Sequence, residues 1–381
     1  MVTYADSETQ KLLRDTARSY LKGKFPVERL FALEDGDEEM TGADLKEFAD
    51  LGWLGLLAPE SAGGGALSLL ESAVVAEEVG YAGVPAPITV SNVAAALLGG
   101  SASSGRPAGA VATSEMESID GHLLDLVAGR KLYTVSENTR RRGHPSNSGA
   151  PLSPLPEASG GEVSGTLTSV PSGDKADYVI APVSGDEAVV LIALEGVQRT
   201  PVSHTDRHGY ANLDLDGAPI ALTLASGAKA EKLRDRCDAL QTALSLMELS
   251  GMLQKVMEMT AEYISNRVQF GQPIAKFQAA RHHAADILMQ AQSTRWAAYH
   301  AIWKYEQDAD PSELWLAKHF AIRASQKVYE WTHLLHGGIG VGMEYPLHLY
   351  TQGLTGFSAR NGSINEMIGR TLDGLGLQVG A

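Results

Sequence analysis

Three patterns of hydrophobic and polar positions follow one another along the chain. Residues 7–100 place hydrophobic side chains at the spacing of helices, and Ser7 is suited to cap the first helix. Residues 105–222 contain short apolar runs, such as DYVIAPV and AVVLIAL, bounded by turn residues, which predicts strands. Helical spacing returns from about residue 229 and continues almost to the end. In the first helix, the side predicted to face inward carries Leu12, Leu13, Ala17 and Tyr20.

The order of these patterns predicts an α+β protein with three domains. We expect an N-terminal helical domain at residues 1–104, a central β barrel or sandwich at 105–224, and a C-terminal four-helix bundle at 225–381. Within the central segment, RRRGHPSNSGAPLSPLPEASGGE is too rich in Pro, Gly and Ser to be buried and is predicted to be a surface loop. A continuous parallel sheet would contradict this architecture.

Composition narrows the class of protein. The 46 acidic residues exceed the 31 basic ones, and the net charge of −15 argues against a general nucleic-acid-binding surface. The single cysteine, Cys237, excludes an internal disulfide and a cysteine-based metal site, and no metal is predicted. The sequence shows neither a signal-peptide pattern nor a run of about 18 apolar residues. These features predict a soluble cytoplasmic protein without a membrane span.

The stretch RVQFGQPIAKFQ, residues 267–278, resembles the end of one helix and the start of the next, separated by a Gly-Gln-Pro break. A cation, two aromatic rings and an amide surround this break: Arg267, Phe270, Phe277 and Gln278. They are the groups that a ligand with a phosphate and flat rings would need. Two interpretations remain open, because the phenylalanines are equally suited to a core and the arginine to a helix C-terminus.

A second candidate site is LLHGGIG, residues 334–340. Gly337, Gly338 and Gly340 carry no side chain to keep a phosphate away from the backbone, so their N–H groups are able to bind anionic oxygens. His336 precedes them and is a candidate contact as well. The alternative is that the glycines only end a helix.

Four features together resemble the acyl-CoA dehydrogenases. These are LGWLGLLAPESAGGGALSLLESAVVAEEVG at residues 51–80, the stretch at 267–278, HGGIGVGMEYPLHLY at 336–350, and the helical, strand-rich, helical order. The resemblance covers nearly the whole chain. It is specific, because two such motifs about 60 residues apart in one helical domain rarely coincide by chance.

This resemblance implies FAD as cofactor, an acyl-CoA substrate and electron-transferring flavoprotein as electron acceptor. In the family, the corner residues reach across a subunit interface to the adenosine-pyrophosphate half of a neighbour's flavin, and the glycines lie against a flavin pyrophosphate of another chain. The C-terminal bundle is therefore expected to carry an oligomer interface, as in a tetramer. The predicted cofactor contacts are Arg267, Phe270, Phe277, Gln278, His336, Gly337, Gly338 and Gly340.

The reaction of this family needs a base, because it removes a proton from Cα of the thioester while a hydride leaves Cβ. The family's base is a glutamate at one of two places, and this chain departs from both. Counting back from residues 369–370, which resemble the alanine-arginine pair of the family's last helix, puts Ser358 at the first place. Counting back from Arg267 puts Gln241 at the second. Neither side chain accepts a proton unaided at neutral pH.

Three further residues bear on whether this chain has its own base and its own contact with coenzyme A. The resemblance places Thr242 where some members carry an arginine that contacts coenzyme A. Asp238 lies one turn before Gln241, and Glu366 lies eight residues after Ser358. Each of these carboxylates is either a displaced base or an ordinary solvated or capping group, and both possibilities remain open.

The sequence thus predicts a FAD-dependent acyl-CoA dehydrogenase subunit that lacks its own base and completes the flavin site of a partner. Family members that act on steroid side-chain or ring-fragment CoA thioesters include α2β2 heterotetramers with this division of roles, which suggests steroid or lipid catabolism. Three alternatives remain: a self-sufficient homotetramer with a displaced base, a non-catalytic scaffold subunit, and a flavin monooxygenase on the same fold.

Overall fold

The N-terminal segment is helical, as predicted. The computed structural model describes residues 6–104, 114–136, 154–184, 187–205 and 207–360, together with residues 369 and 372. Ser7 caps the first helix: its hydroxyl accepts from the Gln10 N–H at 3.1 Å, and the Gln10 side chain accepts from the Ser7 N–H at 2.9 Å. The helices are α1 (Glu8–Lys24), α2 (Val27–Asp35), α3 (Gly42–Asp50), α4 (Leu69–Ala82) and α5 (Ile88–Ser104).

One detail of α1 differs from the prediction. Ala17 and Leu21 are fully buried, whereas Leu12 is 68% exposed. Five residues along a helix correspond to a rotation of about 140° about its axis, so Leu12 and Ala17 lie on nearly opposite sides. The inward prediction for Leu12 is therefore wrong.

Two sheets follow helix α6 (Ser114–Val127), which lies in the segment predicted to be a β domain and was not expected there. The larger sheet has the order β1-β5-β6-β9-β3-β2 and the smaller β4-β8-β7. Only β1 and β5 pair in parallel, so no continuous parallel sheet forms among the described strands. The strands are β1 (Tyr133–Val135), β2 (Glu157–Ser159), β3 (Glu162–Ser164), β4 (Thr166–Val170), β5 (Tyr178–Val183), β6 (Ala188–Ala193), β7 (Gln198–Pro201), β8 (Ala211–Asp214) and β9 (Ala218–Ser226).

The described strands do not confirm the predicted barrel or sandwich, and they form no closed barrel. The larger sheet is open in strand order, and β2 reaches the end of β5 only through one bridge, between Glu157 and Ser184. Its two faces are covered differently: on β6, Val190 packs in a core shared with the smaller sheet, while Leu191 packs in the core of the helices. Burial on both faces explains why AVVLIAL is apolar at nearly every position.

The C-terminal segment is again helical, as predicted. It contains α7 (Ala228–Asn266), α8 (Gln278–Asp308), α9 (Ser312–His336) and α10 (Leu347–Arg360). Since only three residues separate α8 from α9, these two helices run antiparallel. None of the helices in the described part of the chain combines the length and hydropathy that crossing a membrane requires.

Helices α4 and α7 cross at backbone contact through two glycines. A Cβ added to Gly80 would lie 1.9 Å from the carbonyl oxygen of Glu248, and one added to Gly251 would lie 1.9 Å from that of Glu77. No other residue type fits such a crossing without moving a helix. At this crossing, α4 and α7 therefore meet without intervening side chains.

A buried carboxylate lies beside this crossing. The Glu77 side chain accepts hydrogen bonds from Arg295 Nε and Arg14 Nη1, both at 2.6 Å, from the Tyr299 hydroxyl at 2.8 Å and from the Ser250 hydroxyl at 3.3 Å. Burial alone would raise the pKa of Glu77, but the two guanidinium groups hold it below its ordinary value. These donors come from α1, α7 and α8, so four helices meet at one charge. We call Glu77, Gly80, Ser250, Gly251 and Arg295 the domain junction.

Candidate functional site

The break predicted at residues 267–278 is a β-hairpin between two helices. Strands β10 (Val268–Gln269) and β11 (Gln272–Pro273) pair antiparallel. Phe270 and Gly271 form the tip, with φ of 53° and 80°, which is the backbone of a two-residue hairpin loop. Phe270 is 93% exposed. We call residues 267–278 the hairpin corner.

The remaining corner residues surround this tip. Arg267 follows the last residue of α7, is exposed, and makes no side-chain ion pair or hydrogen bond within the described part of the chain. Phe277 is half-buried, and its ring meets that of Phe270 edge-on at 6.2 Å. Gln278 is the exposed first residue of α8, a long helix whose N-terminus favours negative charge. A core role is thus excluded for Phe270 but not for Phe277.

The glycine turn, residues 337–340, follows α9 and belongs to a short 3-10 helix, Gly337–Val341. Gly337 has φ 62° and ψ −143°, a backbone conformation that side chains rarely allow. A Cβ on Gly340 would lie 2.9 Å from the Cβ of His336. Gly338, in contrast, is exposed and has open space where a Cβ would be. The fold therefore requires glycine at 337 and 340, but nothing described in this chain requires it at 338.

His336 joins the glycine turn to the end of α7. Its side chain is buried, Nδ1 donates to the Thr332 carbonyl at 2.9 Å, and the ring stacks on Tyr263 at 4.4 Å. The Tyr263 hydroxyl donates to the His336 carbonyl at 3.3 Å. Burial lowers the pKa of His336, which favours the neutral imidazole. The imidazole is therefore buried and supports the glycine turn. Its predicted contact with a cofactor remains a prediction.

Tyr263 is the residue that sequence reasoning missed here. It lies one turn before Arg267 and contacts His336 directly, so the hairpin corner and the glycine turn occupy one region of the surface. The signal was present but weak, since a tyrosine near the end of an amphipathic helix is ordinary in sequence.

The two predicted base positions hold neutral side chains. Gln241 is half-buried on α7, and its amide oxygen lies 3.6 Å from the Cys237 thiol. The Ser358 hydroxyl, on α10, donates to the Leu354 carbonyl at 3.3 Å, so its hydrogen atom is engaged by the backbone. Asp238 is half-buried on α7, three residues before Gln241. Glu366 lies outside the described residues.

Thr242, at the position of the family's coenzyme A arginine, is buried. Its hydroxyl lies 3.4 Å from Nζ of Lys318, which is itself buried on α9. The lysine was not predicted, because no spacing rule connects residues 76 apart in sequence. A cation is therefore present near this position, but it comes from a different helix.

Exposed large hydrophobic side chains concentrate in the C-terminal segment. Among the described residues, 11 of the 13 lie between Val268 and Met343. Contiguous exposed apolar patches commonly mark interaction surfaces. They lie on the hairpin (Val268, Phe270), on α8 (Leu288, Met289, Trp296), on α9 (Leu316, Tyr329, Leu334) and after the glycine turn (Ile339, Val341, Met343).

Family comparison agrees with this architecture. Residues 7–104 match the acyl-CoA dehydrogenase N-terminal domain, and residues 241–372 match the acyl-CoA dehydrogenase C-terminal domain. The chain belongs to the acyl-CoA dehydrogenase family.

Individual members of the family align with most of this chain. Acyl-CoA dehydrogenase FadE28 of Mycobacterium tuberculosis is 28% identical over 77% of this chain and 80% of its own length. Acyl-CoA dehydrogenase IpdE2 of Mycolicibacterium smegmatis is 26% identical over 96% of this chain and 98% of its own. A solved structure, a glycine-to-alanine variant of the Tcur3481-Tcur3483 steroid ACAD, is 26% identical and superposes with a TM-score of 0.82 over 97% of this chain and 98% of that chain.

Proposed function

We propose that this chain is a subunit of a FAD-dependent acyl-CoA dehydrogenase that completes the flavin site of a partner subunit and lacks a base of its own. One observation carries the proposal. Arg267, Phe270, Gln278 and Gly338, at positions that serve a neighbour's flavin in this family, are present and exposed, while both positions for the family's base hold neutral side chains.

The hairpin corner suits one end of FAD. Arg267 has no partner for its charge within the described residues, and charge-assisted contacts with phosphate are among the strongest hydrogen bonds in proteins. Gly338 leaves its backbone open to close approach, as a pyrophosphate requires. Phe270 offers a fully exposed ring to an adenine or to a partner chain. These residues would hold the adenosine-pyrophosphate end of a flavin bound to the partner.

FAD, when bound, supplies the acceptor for the hydride that leaves Cβ of the acyl group. This chain's residues bind and orient the cofactor, and a base in the partner removes the Cα proton. An amide at position 241 and a backbone-bonded hydroxyl at position 358 do not replace that base. The exposed hydrophobic residues of α8 and α9 provide the surface for a heteromeric assembly, an α2β2 tetramer in the family's pattern.

One comparison supports a steroid-derived acyl group. The solved relative with 26% identity is a steroid ACAD by name, and its two-part designation agrees with a heteromer. IpdE2, which matches along nearly the whole chain, is an acyl-CoA dehydrogenase and supports the acyl-CoA part of the substrate alone. Electron-transferring flavoprotein is the acceptor that we expect for such an enzyme.

The test is to purify the chain alone and together with a base-carrying paralogue from the same genome. We expect the chain alone to retain little flavin by visible absorbance and the assembly to retain it fully. In the assembly, Arg267→Ala should weaken FAD binding by about 10- to 100-fold, because one charge-assisted contact is lost. Gly338→Ala should also lower flavin retention, whereas Gly121→Ala, equally open but on α6, should not.

Activity provides the second part of the test. The chain alone should reduce flavin with an acyl-CoA about 10²- to 10⁴-fold more slowly than a complete enzyme, the usual cost of a missing general base. Gln241→Glu restores a carboxyl of nearly the same shape and should raise the rate if the thioester reaches a flavin here. Full flavin binding and rapid reduction by the chain alone would overturn the proposal. If Asp238→Asn then abolished that activity, the protein would be a homomeric dehydrogenase with a displaced base.

A further inference from the structure

Two histidines one helical turn apart on α9 lie directly beneath the glycine turn. A Cβ on Gly340 would lie 2.9 Å from the Cβ of His336 and 3.4 Å from Nδ1 of His333. His333 is half-buried, and His336 is only 3% exposed. Both side chains therefore pack against the turn itself.

His336 has one ring nitrogen without a partner. Nδ1 donates to the Thr332 carbonyl, so the neutral ring keeps an unprotonated Nε2. That atom is buried and makes no hydrogen bond to any residue that the structure describes. A proton added to Nε2 would create a charged donor without an acceptor, which is costly in a protein interior. The geometry therefore favours the neutral ring as long as the turn is closed.

His333 has the same property at its other nitrogen. Its Nε2 lies 3.2 Å from the Thr351 hydroxyl of α10. Its Nδ1 is buried and makes no hydrogen bond of good geometry among the described residues, although the Gly340 backbone is near. Burial lowers the pKa of both histidines, and the neighbouring His333 lowers the pKa of His336 further. Two imidazolium charges one turn apart would also repel each other.

Aromatic rings surround both imidazoles. Tyr263 of α7 stacks on His336 at 4.4 Å, Tyr345 lies 5.5 Å from the same ring, and Tyr329 lies 4.3 Å from the ring of His333. Among the described residues, His348 is the one histidine that forms an ion pair with a carboxylate. Neither imidazole beneath the turn thus has a counter-charge in the described part of the chain.

The carboxylates nearest in sequence, Glu330 on α9 and Glu344 after the turn, are exposed. Further charges line a half-open cavity of about 1080 Å³ that Tyr263 and Tyr345 also line. Glu262 is the carboxylate there that acts on Tyr345. The charged residues on the cavity lining are Arg18 and Lys22 of α1, Glu78 of α4, and Lys255, Glu262 and Arg267 of α7 and its C-terminal end.

We propose that His333 and His336 make the glycine turn a pH-sensitive switch, which is closed while both imidazoles are neutral and opens when they take up protons. Opening breaks two contacts: the Tyr263 hydroxyl with the His336 carbonyl, and the Gly337 N–H with the His333 carbonyl. The Arg267 N–H donates to the Tyr263 carbonyl at 2.8 Å, so opening also loosens the link to the hairpin corner. Acid should then release flavin from the assembly, a consequence that rests on the proposed function.

Hydrogen exchange of the full chain, followed by mass spectrometry over residues 337–345, tests the switch. The amides of Gly337, Gly342 and Tyr345 make backbone hydrogen bonds in the closed turn, so their exchange, corrected for the intrinsic effect of pH, reports opening. Because the closed turn lowers both pKa values, closure is favoured above about pH 6.5 and is lost as the pH falls. From about pH 7.5 to about pH 5.5, opening should rise about 10-fold for each proton taken up.

Substitutions assign this response. His336→Gln and His333→Gln each keep a polar side chain that takes up no proton, and each should reduce the response by about 10-fold. His282→Gln, the same substitution at an exposed position on α8, is the matched control and should respond like the unmodified chain. Tyr263→Phe removes only the hydroxyl that holds the His336 carbonyl, so the turn should open about 3- to 10-fold more at every pH with an unchanged response to pH.

Equal corrected exchange at the two pH values in the unmodified chain would overturn the proposal, as would a full response in a chain that carries both histidine substitutions. Nitrogen NMR of isotope-labelled histidine needs no substitution, and opening at a pH at which both rings stay neutral would also overturn it.

Flavin retention in the assembly separates the switch from its consequence. Retention that falls with the turn's opening, and falls less in His333→Gln, supports acid release, whereas equal retention at the two pH values contradicts it. An assembly without flavin at the higher pH would contradict the proposed function and leave the switch in the isolated chain standing.

Discussion

The domain junction and the hairpin corner are built on opposite principles, although α7 contributes to both. At the junction, every oxygen of the Glu77 side chain has donors within this chain, and the helices touch at Gly80 and Gly251. At the corner, Arg267 has no partner for its charge within the described residues and Phe270 is 93% exposed. The junction is therefore satisfied within one chain, whereas the corner leaves a charge and a ring without a partner among the described residues.

This difference indicates which residues serve folding and which serve assembly. Buried charges are retained only where partners satisfy them, because an unpaired charge inside a protein costs several kcal/mol. Exposed rings and cations carry no such requirement in the isolated chain, so their presence at the corner points to a ligand or a partner. Substitutions at the two regions should accordingly separate stability from flavin binding.

The largest effect is expected at the junction carboxylate. Glu77→Gln leaves Arg14 and Arg295 without their shared counter-charge, and breaking a buried ion pair in this way costs about 3–5 kcal/mol of unfolding free energy. Chemical denaturation of the isolated chain measures the loss. Asp50→Asn, which removes an exposed pair with Lys46, is the control and should cost under about 1 kcal/mol. Equal losses in the two variants would show that the junction is not a point of special stability.

The helix crossing should give the second largest effect. Gly251→Ala places a Cβ 1.9 Å from a backbone oxygen of α4, so the helices must separate, at a cost of about 1–3 kcal/mol. Gly338→Ala adds the same methyl group at the glycine turn, where space is open, and should leave the unfolding midpoint unchanged. An unfolding midpoint for Gly251→Ala equal to that of the unmodified chain would mean that the helices do not meet as closely as described.

Acid should act on the glycine turn, which neighbours the hairpin corner, and on the domain junction in different pH windows. Burial lowers the pKa values of His333 and His336 beneath the glycine turn, so the folded state favours neutral imidazoles and the unfolded chain binds protons more readily. The stability from this source is complete above about pH 6.5 and is lost as the pH falls below it. Glu77 also has a lowered pKa, so its contribution is present above about pH 4.3 and is lost only at lower pH.

Unfolding free energy measured against pH checks this order. The unmodified chain should lose stability first below about pH 6.5, and His336→Gln should flatten that first decline without changing the decline in more acidic solution. An unchanged first decline in the variant would assign it to other groups.

The smallest change in stability is expected at the hairpin tip, and with the opposite sign. Phe270 holds a left-handed backbone with φ 53°, so Phe270→Gly relieves strain and should stabilise the isolated chain by about 0.5–1 kcal/mol. The same substitution should weaken the flavin-binding assembly, because it removes an exposed ring. Stabilisation of both the chain and the assembly would mean that Phe270 has no partner.

Several features were predictable from sequence for identifiable reasons. The helical and strand-rich segments follow from spacing alone, and Ser7 with Gln10 forms the expected capping arrangement. The family assignment rested on the two glycine-containing motifs, and the matches at residues 7–104 and 241–372 confirm it. The roles of the individual site residues remain predictions.

Sequence by itself thus determined the helical, strand-rich, helical order of the segments, though not helix α6, together with the family and the absence of a carboxylate at positions 241 and 358, because each depends on local spacing or on residue identity. Tertiary structure decided which glycine has room for a side chain. A Cβ on Gly340 would meet His336, whereas a Cβ on Gly338 would have open space around it. It also decided that Glu77 meets Arg14 and Arg295, and that Lys255 faces a cavity between tyrosines. These contacts join residues far apart in the chain, and they depend on how helices cross, which no local pattern encodes.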